Sequence, residues 1–352
     1  MRRGGRRNRP ALGVFHQPAK SARAAIHEEH SSPVETFACA QKKSTANRNR
    51  YRSLIINNSK EIQATICLFL TSIIWGISFV AQVVGMDFMG PFTFNGVTFL
   101  LGAATLIPVV LLFDRGRLNR AELKRLLGCG TICGLILFGA GSFQQFGVEL
   151  TNSAGKSGFI TGLYIIIVPI AGIFMKRRAT LFTWAGAAFA VAGMYFLCVP
   201  DGFGGITRGD AMLFFGAFFW AAHIIAIDKF VSKVSSLKLS LTQFVVCGLI
   251  SMICAFATET VRPDLLLLGA APLLYRGVMS ISVAYTLQII GQRRVAPAKA
   301  AIIFSLESVF SAIGGAILIR EVMSGRGYFG CALIFAGILF AQIPGRKKAA
   351  RR

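Results

Sequence analysis

Ten long apolar stretches follow one another along this chain, and they constrain its fold more than any other feature of the sequence. Each is close to the ~20 residues that an α-helix needs to cross the hydrocarbon of a bilayer. They cover residues 62–85, 91–113, 126–147, 153–175, 180–199, 209–227, 239–257, 270–290, 296–318 and 326–343. Because a helix satisfies its own backbone hydrogen bonds, the predicted fold class is all-α, a polytopic membrane protein with ten transmembrane helices.

The composition excludes an ordinary soluble protein. Of the 352 residues, 54% are hydrophobic and 15% are charged, whereas a soluble domain carries about 25% charged residues. Residues 1–60 hold 13 Lys and Arg against three Glu and show no apolar period, so we expect a disordered, basic cytosolic extension. Residues 346–352 are expected to form a basic cytosolic tail. Charge runs of this kind are usually solvated, and we expect no nucleic-acid partner.

Lys and Arg are distributed unevenly between the two sides of the predicted bundle. With the N-terminus in the cytoplasm, the inner connections and the tail after the first span contain 18 basic residues, and the outer connections contain five. Membrane proteins keep an excess of basic residues on the cytoplasmic side. We therefore expect a multi-pass protein of the plasma membrane, with both termini cytoplasmic and an external linker at residues 200–207.

Two polar stretches repeat each other across an offset of 143 residues. Gln145 and Lys156 stand eleven residues apart in the first stretch, and Gln288 and Lys299 stand eleven apart in the second. Polar side chains are unfavourable in hydrocarbon, so the same ones at the same spacing indicate a duplicated unit built around a polar path.

Each copy of this unit contains five predicted helices, in residues 61–199 and again in residues 208–345. Because five is an odd number, the second copy enters the membrane in the opposite orientation. Trp75 and Trp220 support the match, since each lies mid-span in the first helix of its copy. Two inverted five-helix repeats suit a carrier that opens alternately to either side of the membrane.

Glu307 is the single residue that most strongly indicates a functional site in the sequence. It lies about eleven residues into the ninth span, near the bilayer centre at ~1.5 Å of rise per residue. A carboxylic acid at that depth is rare and usually faces a cavity. The alternative is a protonated side chain that bonds to a neighbouring helix as a packing contact.

Further polar and aromatic side chains inside the spans are candidates for a substrate cavity. The amides either bind substrate or bridge helices, and a mid-span Trp either walls a cavity or packs in the core. The candidates besides Glu307 are Trp75, Asn95, Gln145, Tyr164, Trp220, Tyr285 and Gln288. Arg276 has no evident partner in sequence, and we expect it to extend towards the membrane surface.

Lys156 and Lys299 lie near the N-terminal ends of the fourth and ninth spans. A helix N-terminus carries partial positive charge, and an added Lys makes an anion-attracting position. The alternative is an interfacial Lys that extends its ammonium group to water.

One pattern favours an enzyme. Gly155, Lys156, Ser157 and Gly158 fit a short motif of intramembrane serine proteases, with His223 as the possible base. Short motifs match often by chance, and Ala300 replaces the serine in the second copy. The sequence contains neither a P-loop nor a His-Glu-x-x-His motif, so we expect no cofactor, no metal and no enzymatic activity.

Several stretches resemble the EamA-domain carriers of the drug/metabolite transporter superfamily. They are Trp75–Phe79, Gly90–Asn95, Ser153–Tyr164, Phe219–His223, Ala284–Gln288, Ser305–Phe310 and Arg320–Glu321. The resemblance implies a pseudosymmetric bundle whose cavity is walled mainly by the first, third and fourth helices of each repeat. It also implies secondary active transport of small metabolites or drugs, by export or exchange, with possible proton or cation coupling. A lipid-handling or assembly protein without transport activity is the remaining alternative.

Overall fold

The structure is a computed structural model that describes residues 60–175, 179–198, 207–320 and 324–343. The expected basic extension before Lys60, linker residues 200–206, Glu321 and the expected tail lie outside these residues. The helices are α1 (Lys60–Gly85), α2 (Pro91–Phe113), α3 (Arg120–Thr151), α4 (Ala154–Thr161), α5 (Tyr164–Phe174), α6 (Leu181–Cys198), α7 (Arg208–Phe230), α8 (Ser236–Thr258), α9 (Pro263–Leu268), α10 (Ala270–Leu274), α11 (Tyr285–Gln292), α12 (Pro297–Phe304), α13 (Leu306–Leu318) and α14 (Gly325–Gln342).

Eight helical segments in the described part are long and apolar enough to cross a membrane. Five are the single helices α1, α2, α3, α7 and α8, and three are composite, Ser157–Phe174, Ala270–Gln292 and Pro297–Leu318. The helices α6 and α14 carry shorter apolar stretches, Leu181–Gly193 and Gly325–Ala341. The chain is therefore a polytopic helical membrane protein, as the apolar stretches predict.

Helix α3 extends well beyond the predicted span of residues 126–147 at both ends. Asn119 Oδ1 accepts a hydrogen bond of 2.9 Å from the N–H of Glu122, and Glu122 Oε2 accepts one of 2.9 Å from the N–H of Asn119. This reciprocal cap satisfies two backbone donors and starts the helix at Arg120. At the other end Asn152 adopts a left-handed conformation with φ of 46°, which ends the helix.

The fourth and ninth spans are both interrupted. Regular α-helix stops at Gly162 and Leu163 in the fourth span and at Ser305 in the ninth. Gly162 and Ser305 are themselves 143 positions apart, the offset of the polar repeat. Tyr164 follows the first interruption directly, and Glu307 is the second residue after the other. Discontinuous helices are typical of transporter binding sites, because they place backbone groups and side chains at membrane depth.

The eighth span contains a π-helical segment of ten residues, Tyr275–Ala284, between α10 and α11. It is held against α1 by side-chain hydrogen bonds. The hydroxyl of Tyr275 donates to the Ile74 carbonyl at 3.1 Å, and that of Thr71 donates to the Ala284 carbonyl at 3.1 Å. Segments of this kind occur frequently at functional sites, since the wider turn redirects side chains.

Helix pairs at matching positions in the two predicted copies pack against each other. Helix α2 packs on α8, and α6 packs on α14. At the second contact a Cβ added to Gly186 would lie 2.6 Å from the carbonyl oxygen of Gly337, and a Cβ added to Gly337 would lie 2.6 Å from that of Gly186. The backbones approach closely there because neither residue has a side chain.

The bundle combines an apolar outer surface with a core that contains both apolar and polar side chains. Large apolar side chains cover the outside, and Phe113, Phe174 and Leu181 are each at least 80% exposed. Amides lie inside, where Gln145 and Gln288 are 0% exposed. An apolar exterior is expected when lipid is the surrounding solvent, and buried amides at membrane depth are rare enough to indicate a functional region.

Candidate functional site

An interior cavity lies where polar and aromatic side chains from six spans meet. We call it the central cavity. Its lining residues are Trp75, Ser78, Phe79, Gln82, Gln144, Thr161, Tyr164, Trp220, Ile224, Arg276, Ser280, Tyr285, Gln288 and Glu307. They lie on the first, third, fourth, sixth, eighth and ninth spans, which are the helices that the resemblance implies.

Three aromatic rings form one wall of the central cavity. The ring centroids of Trp75 and Tyr285 are 4.8 Å apart in an edge-on arrangement, and those of Trp220 and Tyr285 are 6.1 Å apart and stacked. Trp75 and Trp220 also lie 6.3 Å apart, so the two mid-span tryptophans contact each other across the cavity wall. Rings in this arrangement offer π-faces to an aromatic, apolar or cationic group.

A chain of amide hydrogen bonds fixes the polar groups next to these rings. Trp220 Nε1 donates to Gln144 Oε1 at 2.7 Å, and Gln144 Nε2 donates to Gln82 Oε1 at 2.7 Å. Trp75 Nε1 donates to the carbonyl of Ser280 in the π-helical segment at 3.3 Å. Both indole rings are therefore oriented by hydrogen bonds that they donate to acceptors on other spans.

Glu307 lies inside the central cavity, and only 4% of it is exposed. The hydroxyl of Tyr164 donates to Glu307 Oε1 at 2.8 Å. Since the two side chains come from the segments that follow the two span interruptions, the acid and its donor are placed by matching backbone features. A carboxylic acid buried at membrane depth is rare and marks a candidate functional position.

Arg276 lies in the interior, 3% exposed, so the expectation that it extends towards the membrane surface is wrong. The π-helical segment directs the side chain inward, where its Nη1 donates to Gln145 Oε1. Its guanidinium also lies 5.0 Å from the centroid of the Phe94 ring. A stacked, hydrogen-bonded guanidinium gives the cavity one fixed cation in addition to its carboxylic acid.

Several polar atoms in the cavity lining have no hydrogen-bond partner within the described residues. They are Gln288 Nε2 and Oε1, Ser78 Oγ and Thr161 Oγ1. Gln288 is 0% exposed, and burial of an unpaired amide costs about 1–3 kcal/mol. Unsatisfied donors and acceptors that face a cavity are available to a solute or to water.

Asn95 and Gln145 are not in the cavity lining, although both are buried. The amide of Asn95 donates to the Gly141 carbonyl at 3.0 Å. Gln145 accepts from Arg276 and donates to the Gln82 carbonyl at 3.3 Å. Gln145 therefore contacts two lining residues from behind the cavity wall, and Asn95 joins α2 to α3.

The two lysines of the repeat lie on equivalent short helices. Lys156 is the third residue of α4, and its side chain lies outside the described part. Lys299 is the third residue of α12 and is half-buried. Lys299 is not in the lining of the central cavity.

Ser157 and His223 bond to different partners. The Ser157 hydroxyl lies 3.0 Å from the Thr151 hydroxyl, and His223 Nε2 lies 3.0 Å from Gln243 Oε1. No hydrogen bond joins Ser157 to His223 in the described structure. The arrangement lacks the contact between nucleophile and base that a serine protease needs.

Gln82 and Ser78 are cavity residues that the sequence reasoning missed. Trp75, Ser78, Phe79 and Gln82 are spaced i, i+3, i+4 and i+7, which places them on one face of α1. That stripe could have identified Gln82 from Trp75. Arg276 gave no comparable signal, because a π-helical segment changes which face a side chain occupies.

Comparison with known families identifies the bundle. The model of the EamA-like transporter family matches the chain twice, at residues 63–199 and 207–342. The chain belongs to the EamA-like transporter family. Two matches to one family model fit the offset of 143 residues between Gln145 and Gln288.

Relatives and a solved structure agree with this membership. Two proteins of Archaeoglobus fulgidus, each described as an uncharacterized transporter, are similar to the chain. One is 27% identical over 290 residues, covering 81% of this chain and 87% of the relative. The other is 23% identical over 279 residues, covering 78% of this chain and 96% of the relative. A solved structure titled "Crystal structure of protein" aligns with a TM-score of 0.65 at 21% identity, over 79% of this chain and 96% of that one, which shows the shared fold.

This EamA-like protein is therefore a multi-pass membrane transporter. Membership of a transporter family implies a small-molecule solute and a lipid environment.

Proposed function

We propose that this EamA-like protein is a secondary active transporter that exports or exchanges small metabolites or drugs across the cytoplasmic membrane by alternating access. The observation that carries the proposal is the central cavity, where Glu307 from one family-matched stretch bonds to Tyr164 from the other. The unpartnered amide of Gln288 supports it, because a solute can satisfy that amide.

Alternating access requires two halves that move relative to each other. We propose ten spans in two inverted five-helix halves, residues 61–199 and 208–345, with an external linker at 200–207 and both termini cytoplasmic. Two family matches of nearly equal length and the Lys and Arg bias support this topology. The interruptions at Gly162 and Ser305 are suitable places for the halves to flex.

The proposed roles follow from the contacts. Trp75, Trp220 and Tyr285 bind the apolar or aromatic part of the solute, and Gln288 bonds its polar part. Glu307 is the proton or cation switch.

Asn95 and Gln145 position the wall in this scheme. Lys156 and Lys299 attract anions at the N-termini of α4 and α12, where the helix dipole adds further positive charge.

Reconstituted vesicles test this function. Vesicles that contain the purified protein are loaded with a panel of labelled amino acids, amines and nucleosides. Both solute exchange and pH-driven accumulation are then measured. We expect Glu307→Gln to abolish pH-driven accumulation, while solute exchange and the thermal unfolding temperature stay as in the wild type. The matched control is Glu61→Gln, which changes an exposed carboxylate at the start of α1.

Unchanged pH-driven flux in Glu307→Gln would reject the switch role. Absence of flux for every solute in correctly folded wild-type protein would reject transport of these classes and favour the lipid-handling alternative.

A further inference from the structure

A second pocket opens where the α2–α3 connection, the α7–α8 connection and the end of α11 meet. Its charged and hydroxyl lining residues define what we call the basic pocket: Glu122, Arg125, Ser232, Lys233, Ser235, Lys238 and Arg293. Four are cations and one is a carboxylate. The Lys and Arg bias predicts that this end of the bundle is cytoplasmic.

Three of the four cations have no carboxylate partner in the described part of the chain, namely Arg125, Lys233 and Arg293. The ammonium of Lys233 lies 5.7 Å from the centroid of the Phe230 ring. Arg293 Nη2 donates to the Val234 carbonyl at 3.2 Å. These contacts orient two of the cations without neutralising them.

The carboxylates next to the basic pocket are already engaged. Lys238 Nζ lies 3.2 Å from Asp114 Oδ1, so the fourth cation is paired. Glu122 Oε2 accepts the N–H of Asn119 in the cap of α3. Both carboxylates keep their negative charge, and the four cations still exceed Glu122 and Asp114 by two positive charges.

Helix α8 adds to this positive potential because it begins at the pocket. Ser235 precedes the helix, but its hydroxyl donates to Asp114 and makes no hydrogen bond to the helix. The first N–H groups of α8 thus have no cap from this side chain, and the helix dipole is positive at this end. Basic side chains beside a helix N-terminus are a combination suited to phosphate oxygens.

We propose that the basic pocket binds a phosphate group, carried by an anionic lipid headgroup or by free phosphate. The proposal goes beyond transport, since the pocket shares no lining residue with the central cavity. Anionic headgroups concentrate at the cytoplasmic surface, and each Lys or Arg near that surface favours their binding.

The test uses full-length protein in neutral detergent at constant ionic strength. Thermal unfolding is followed during titration with inorganic phosphate, with dihexanoyl phosphatidylglycerol, and with dihexanoyl phosphatidylcholine as the uncharged reference. The triple variant Arg125→Gln, Lys233→Gln, Arg293→Gln is compared with Arg117→Gln, Arg120→Gln, Lys124→Gln. The control removes three exposed charges from the α2–α3 connection and the start of α3, none of which lines the pocket.

We expect the pocket variant to weaken binding at least about tenfold, and the control variant by less than about twofold. Stabilisation by phosphatidylglycerol alone identifies a lipid site, and stabilisation by inorganic phosphate identifies a free-phosphate site. No stabilisation by either probe, or equal loss in both variants, overturns the proposal. If the pocket variant is unstable, acetylation of wild-type Lys233 provides the test: the bound probe must slow it while Lys124 reacts unchanged, and equal protection overturns the site.

Discussion

The hydroxyl of Tyr164 donates a 2.8 Å hydrogen bond to Glu307 Oε1, and these residues stand at the same offset of 143 positions that separates Gln145 from Gln288. Equivalent positions of the two family-matched stretches therefore contact each other inside the central cavity. The two matching positions carry different chemical groups, since one copy supplies a phenol and the other a carboxylic acid. Neither stretch alone supplies both partners of this hydrogen bond, which fits the alternating access that we propose.

Tyr164→Phe removes this hydrogen bond and little else. We expect the free energy of unfolding to fall by about 1–2 kcal/mol. Driven transport should fall about tenfold, because ~1.4 kcal/mol of lost positioning is tenfold in rate. Tyr275→Phe is the control, since its hydroxyl bonds to the Ile74 carbonyl and does not line the cavity. Equal transport loss in the two variants would show that Tyr164 has no special role.

Gln288→Leu should separate function from stability. The amide has no hydrogen-bond partner in the described structure, so its loss breaks no bond there and removes an unpaired buried group. We expect the free energy of unfolding to stay within about 1 kcal/mol of wild type, or to rise, while transport is lost. A destabilised variant would reveal a structural partner and contradict the assignment of Gln288 to solute binding.

Gln144→Leu is the natural comparison for that experiment. Gln144 joins Trp220 to Gln82 by two 2.7 Å hydrogen bonds, so its replacement leaves both partners unsatisfied. We expect a loss of about 2 kcal/mol or more in the free energy of unfolding, measured by chemical denaturation in detergent. A neutral effect would mean that water replaces the amide, and the chain of hydrogen bonds would then not be structural.

Arg276→Gln removes the fixed cation of the central cavity. We expect transport of solutes that carry a carboxylate to fall more than transport of amines, as measured by exchange in vesicles. Arg276→Lys should not restore it, because an ammonium cannot reproduce both the stacking on Phe94 and the planar donor to Gln145. An equal fall for both solute classes would assign Arg276 a structural role.

Gly76→Ala tests the packing of α1 on α13. A Cβ at this position would lie 2.4 Å from Phe310 Cβ and 2.7 Å from the Glu307 carbonyl oxygen, so a helix must shift. We expect a loss of about 1–3 kcal/mol in the free energy of unfolding. Gly128→Ala lies in a helix with nothing within 4 Å of its Cβ, and should be neutral or stabilising by up to about 1 kcal/mol. Similar effects in both variants would contradict the close contact.

The helical class and most span positions could be predicted from the sequence, because an apolar stretch of this length has few alternatives in hydrocarbon. The ends of α3 were predicted less well, since a reciprocal cap at Asn119 and a left-handed Asn152 set them. The π-helical segment and the interruptions were not predicted. Each is a local change in backbone geometry within an apolar stretch, and the hydrophobicity of the stretch does not change at that point.

By itself, the sequence determined the membrane class and the duplication, and it predicted six of the fourteen side chains that line the central cavity, because length, polarity and spacing are local properties of the chain. The tertiary structure decided which side chains meet. Arg276 faces inward, Gln82 joins Gln144, and Tyr164 bonds to Glu307 because separate helices pack at particular rotations and depths. Those rotations depend on contacts between residues far apart in the chain, which no local pattern encodes.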